Sequence, residues 1–208
     1  MEEKKWNGEV AENYNYSFAD KFDIEDIEIN RHLYLNSDVD ESVINQIVYH
    51  ILRYNRLDKG IPVNDRKPIV LYINTPGGNV VDGYGLVDGI LCSRTPVYTV
   101  NLGECSSMGF LIFISGHKRY AMPHSEFLMH EGVTGAVDCL SKAKERIDFE
   151  AGEMEQMTKA HVLERTKITS DMYKEKYKCE WYFLPEAAKD LGVTDFIIGK
   201  DCELDDII

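Results

Sequence analysis

The chain has 208 residues, of which 44% are hydrophobic and 28% charged, a balance that suits one soluble globular domain, or one domain with an arm. Its 23 basic and 36 acidic residues leave a formal charge of −13, and no block of Lys or Arg occurs, which argues against a nucleic-acid-binding face. The five cysteines are scattered and odd in number, with no C-x-x-C pair, so neither a disulfide scaffold nor a structural zinc site is expected.

Residues 1–28 carry many charges, Asn and Tyr with little periodicity, and read as an arm. The opening "MEEKKWNGEV" has no apolar core, so no secretory signal is expected there. Free thiols fit a reducing, cytoplasmic setting. "RHLYLNSDVDESV" predicts a short strand, a polar turn and a helix start. Val43, Ile44, Ile47, Val48, Ile51 and Leu52 recur at helical spacing, which predicts an amphipathic helix over about 41–54. "NRLDKGIPVNDRK" reads as a loop.

"PIVLYIN" (68–74) is a continuous apolar run rich in β-branched residues, and so a buried strand. "TPGGN" breaks it, and Val80, Tyr84, Val87 and Leu91 form the next helical stripe. "VYTVNL" (97–102) predicts a second buried strand and "SSMGFLIFIS" a second helix, with "KRYAM" and "SEFLMH" as short strands. A long helix is expected from about Asp138 to Arg165, then short helices at "TSDMYKEKY" and "PEAAKDLG" and a last strand at "VTDFII". The longest apolar runs, "IVLYI" and "FLIFI", are too short to span a bilayer.

Alternating strands and helices predict an α/β fold with a parallel sheet, whose sites form at the carboxyl ends of the strands. Three segments would meet at that edge: the Gly77–Gly78 loop, the Cys105–Met108 turn and His130. Ser107 would stand at a helix start, where a serine either caps the helix or acts as a nucleophile. His130 could take its proton, and the backbone N–H groups of Gly78 and Met108 could hold an oxyanion. The turn departs from the G-x-S-x-G elbow, since Cys105 stands at the first Gly position, which disfavours an α/β-hydrolase. No zinc-protease spacing of histidines occurs, and no metal or cofactor is expected.

The residues "LYINTPGGNV", "ECSSMGFLIFISG", "KRYAMPHSEFLMHEG" and "PEAAKDLGVTD", with "RHLYLNSDVDESVINQIVYHIL" before them, resemble the proteolytic subunit of the Clp protease family from about residue 28 onward. The resemblance implies a crotonase-like fold of repeated β-β-α units with a protruding handle helix (about 138–165). It makes residues 29–208 the peptidase domain and 1–28 an arm that is flexible or lines a ring axis. It further implies self-association into stacked rings, hydrolysis of unfolded polypeptides by a Ser-His-Asp triad, and a AAA+ ATPase partner. Neither nucleic acid nor membrane is implied as a partner.

Carried over by position, Ser107 matches the nucleophile, His130 the general base, and the Gly78 and Met108 amides the oxyanion hole. The third triad member is where the chain departs from the pattern, because Cys179 stands at the expected Asp. Three alternatives are open: Glu180 serves by a one-residue shift, another carboxylate such as Asp171 serves, or the triad is incomplete and the enzyme slow. Glu180 is favoured. The arm and the 55–67 loop also depart from the compact pattern, as in an atypical or phage-type member. Two other classes compete: a non-catalytic ring subunit, motivated by Cys179, and an acyl-CoA hydratase or thioesterase of the wider crotonase superfamily.

Overall fold

A computed structural model of the chain describes residues 26–133, 135 and 138–207. Most of the expected arm, and part of the "EGVTGAV" segment after His130, therefore lie outside the described residues. The first described element is a helical turn, Asp26–Asn30, pinned by Tyr54, whose hydroxyl donates to the Ile27 carbonyl, and by an Arg53–Glu28 ion pair.

The sheet forms where β-branched runs were legible. Strand β1 (His32–Leu35) pairs in parallel with β2 (Ile69–Thr75), and β2 with β3 (Val97–Ser106). Ile69, Leu71 and Ile73 are fully buried, as expected of a parallel strand covered on both faces. β3 is longer than its apolar run predicts and serves two neighbours. Its first half pairs with β4 (Lys118–Ala121), and its last residues, Glu104–Ser106, pair with β5 (Glu126–Met129). β6 (Trp181–Phe183) adds antiparallel to β5, and β7 (Phe196–Ile197) adds parallel to β4. The fold is thus α/β with a parallel-dominated sheet, with one antiparallel edge that the sequence pattern did not announce.

The helices follow their sequence signals with shifted ends. A π-helical turn at Ile44–Val48 leads into α1 (Tyr49–Leu57), so the helix runs three residues past its predicted end. The loop after it is tied down. Asp58 is 2% exposed and accepts from Arg31 at 2.7 and 2.8 Å and from the Thr95 hydroxyl at 2.8 Å. Helix α2 (Val80–Leu91) starts at Asn79, whose side chain accepts from the Val81 and Asp82 N–H groups. Helix α3 (Met108–Ile114) is buried along its whole length. The predicted long helix is α4 (Leu140–Phe149) and α5 (Glu155–Arg165) joined by a π-helical turn at Glu150–Met154. Short helices α6 (Ser170–Lys176) and α7 (Pro185–Asp190) complete the set, and α7 has Pro in its first turn. No helix among the described residues is long and apolar enough to cross a membrane.

The core lies between the sheet and helices α2, α3 and α5. Phe110, Phe113 and Phe127 are fully buried, with Phe183 against Phe110 and Phe127. Arg119 on β4 makes a bidentate bond to Asp195 and donates to the Arg165 and Gly192 carbonyls, joining the ends of β4, α5 and α7.

His161 on α5 is 8% exposed, and its Nε2 lies 3.1 Å from the Ser115 hydroxyl and 3.2 Å from the Leu111 carbonyl, both on or next to α3. Burial holds its imidazole below its ordinary value, with the Leu111 carbonyl opposing and Arg165 adding to the effect. The unfolded chain therefore binds this proton more readily than the folded one. The neutral form is fully compatible with folding above about pH 6.5, and stability is lost as the pH falls below that value, by at most about 1.4 kcal/mol per pH unit for this group. Denaturant midpoints compared between neutral and mildly acidic pH should show this loss, and His161→Gln should make the loss smaller.

Candidate active site

The site begins with a backbone that few residues adopt. β3 ends at Ser106 and α3 begins at Met108, so Ser107 must turn the chain between them in one step. It does so at φ 54°, ψ −118°, a conformation costly for a residue with a Cβ, on the order of 1–3 kcal/mol. Such strain is typical of a nucleophile elbow, which lifts the side chain off the end of a strand. The Ser107 side chain makes no capping bond to α3, so the expected alternative role as an N-cap is not the one it adopts. Its N–H donates to the Leu128 carbonyl at 2.9 Å, which fixes the elbow against β5 two residues before His130.

The Gly-rich loop fits against this elbow. Gly77 has φ 103°, and a Cβ there would stand 2.7 Å from the Ser107 Cβ and 2.8 Å from the Ser106 carbonyl. Gly78 has φ 147°, and a Cβ there would fall 2.3 Å from the Val39 carbonyl. Val39 donates to the Gly77 carbonyl at 2.8 Å and accepts from Asn79 N–H at 2.7 Å. In that parallel bridge the Gly78 N–H faces away from Val39. The Met108 N–H belongs to the first turn of α3, whose amides have no intrahelical acceptor. Gly78, Ser107, Met108 and His130 all line one cavity of about 420 Å³. Leu111, Met154, Thr158 and Tyr177 line the same cavity; no periodicity or motif distinguished them from core residues in the sequence.

His130 follows β5, with its side chain 20% exposed. Its Nδ1 lies 3.0 Å from Glu180 Oε1. The reason is register. β5 and β6 pair Phe127 with Phe183, Leu128 with Tyr182 and Met129 with Trp181. Continued by one residue, that ladder sets His130 opposite Glu180, and directly opposed residues present their side chains on the same face. Cys179 lies in the bend between α6 and β6, where its N–H donates to the Lys176 carbonyl and its thiol lies 3.9 Å from the Glu175 carbonyl. Asp171 sits in the first turn of α6 and has no bond to His130. Ser107 and His130 share the cavity without a hydrogen bond between them.

The neighbouring groups are accounted for. Ser106 is 2% exposed and donates to Glu104 Oε1 at 2.7 Å. Cys105 is fully buried, and burial, with Glu104 beside it, pushes its thiol well up, so it stays protonated and inert. No group of three or more His, Cys, Asp or Glu among the described residues could hold a metal ion.

A serine at positive φ and an imidazole bonded to a carboxylate thus stand at one cavity, with Gly78 and Met108 in its lining. Comparison with known proteins gives the family. The Clp protease family model matches residues 20–201. The chain is 30% identical over 180 residues to "ATP-dependent Clp protease proteolytic subunit 3" of Parasynechococcus marenigrum, covering 84% of this chain and 86% of that protein. It is 31% identical over 179 residues to subunit 1 of Frankia casuarinae, covering 82% and 78%. It is 31% identical over 173 residues to subunit 2 of Corynebacterium glutamicum, covering 81% of each. The chain belongs to the Clp protease family, a family of peptidases.

Proposed function

We propose that the protein is a serine endopeptidase that hydrolyses peptide bonds of unfolded polypeptides, with Ser107 as nucleophile and His130 as general base. The observation that carries this is the strained Ser107 at a cavity shared with His130, whose Nδ1 is bonded to Glu180. A carboxylate can only accept, so the Nδ1 facing Glu180 carries the proton and Nε2 is the basic nitrogen. Nε2 takes the Ser107 proton as Oγ attacks the scissile carbonyl carbon. The oxyanion is received by the Gly78 and Met108 N–H groups. The Nε2 proton then passes to the leaving amine, and the acyl-serine is hydrolysed by a water that His130 activates in the same way.

Assembly is part of the proposal. Helix α4 buries none of its residues and leaves Leu140, Ile147 and Phe149 exposed, an apolar surface that supports packing against another copy. The named relatives are subunits of ATP-dependent Clp proteases, which supports stacked rings in the cytoplasm, served by a AAA+ unfoldase. Labelling tests the chemistry. A fluorophosphonate should modify the protein once per chain, at Ser107, and Ser107→Ala should not be labelled. Labelling that persists in that variant would refute the assignment.

A further inference from the structure

Glu180 is an unusual choice of partner for a histidine. Its side chain is 58% exposed, and a glutamate has three torsions to fix, so an unrestrained carboxylate would spend much of its time in solvent. The geometry points to a device that restrains it: we propose that Tyr182 is a positioning residue, holding the Glu180 carboxylate by one oxygen so that the other stays on His130. This rests on the assignment of Glu180 to His130 made above.

Three observations carry the proposal. Tyr182 Oη donates to Glu180 Oε2 at 3.5 Å, while Glu180 Oε1 is the atom 3.0 Å from His130 Nδ1. The two contacts use different oxygens of one carboxylate, so closing the longer one to Tyr182 fixes its rotation as well as its place. Register supplies the second observation. Tyr182 is two residues from Glu180 on β6 and opposite Leu128, so it stands on the same face of the ribbon as Glu180 and His130. Third, the phenol is kept a donor. Its ionisation is pushed up by desolvation first and then by the Glu180 carboxylate, with Glu126 and Glu104 adding to the effect. Tyr182 is itself 58% exposed in the middle of a short edge strand, so packing does not explain an aromatic there.

The test is a double-mutant cycle on the full-length protein, with Tyr182→Phe, Glu180→Gln and the pair, read by peptide kcat and KM and by the rate of fluorophosphonate inactivation. Tyr182→Phe keeps the ring and is exposed, so the variant should fold; its melting temperature is the control. With Glu180 present, kcat should fall by about 3- to 10-fold, the span of one hydrogen bond, and KM should not move. In the Glu180→Gln background the same substitution should have a much smaller effect, because the amide that Tyr182 would hold carries no charge to set against His130. An equal fall in both backgrounds would show a merely structural role and overturn the proposal, as would an unchanged kcat with Glu180 present. A Glu180→Gln variant as active as the parent chain would remove the underlying assignment, and the positioning role with it.

Discussion

Ser107→Ala is expected to reduce peptide hydrolysis by on the order of 10⁶ in kcat, to the background that binding and the oxyanion donors alone provide. The variant should otherwise be the same molecule. The Ser107 hydroxyl caps nothing and ties no elements together, and the bond fixing the elbow is made by its backbone N–H to Leu128. Alanine carries a Cβ like serine, so the strained turn at φ 54° is neither worsened nor relieved. Stability should stay within about 0.5 kcal/mol of the parent chain. Ser106→Ala is the control, since Ser106 faces Glu104 and is absent from the cavity lining. It should remain active. The reverse result, an active Ser107→Ala and a dead Ser106→Ala, would move the chemistry to Ser106 and overturn the assignment.

How much of this could be read from the sequence depends on how local the cause is. β2 was legible because "IVLYI" carries its own evidence: β-branched residues bounded by turn signals. The elbow was legible as a junction, because an apolar strand run meets an apolar helix run at Ser106–Ser107. β3 was predicted four residues too short, because Gly103 and Glu104 interrupt its pattern. They remain extended because β5 pairs with Glu104–Ser106, a partner about twenty residues away. β6 was missed for the same reason. "WYF" is too short for any period, and becomes a strand only by pairing with β5 across about fifty residues. The interrupted helix at Glu150–Met154 left no trace in the apolar spacing.

The same distinction governs the site. The candidates Ser107, Met108, Gly78 and His130 could be named because each stands at the end of a locally legible element, and the structure brings all four to one cavity. The third group could only be left open among Glu180, Asp171 and Cys179. What separates Glu180 from Cys179 is one position of strand register, and register is set by the β5–β6 ladder, which the sequence does not display.

That dependence makes the second large effect a test of register as well as of chemistry. Glu180→Gln is expected to lower kcat by up to about 10⁴, the loss that follows when a carboxylate partner of a catalytic histidine becomes an amide. The amide can still reach Nδ1, but its NH₂ can bond the ring in the wrong tautomer and its oxygen carries no charge to stabilise the imidazolium. KM should change little, since Glu180 is not among the residues lining the cavity. Cys179→Ser should leave turnover within about twofold, since the thiol is exposed and sits by the Glu175 carbonyl. The decisive variant combines Cys179→Asp with Glu180→Gln, placing the carboxylate on the neighbouring residue. With β6 in the observed register, that carboxylate stands in the bend beside Glu175 and Lys176, not opposite His130, and cannot restore activity. Recovery in this double variant would mean that β6 can slide by one residue against β5. Tyr182 would then face away from His130 as well, and both the pairing of Glu180 with His130 and its anchoring would have to be abandoned together.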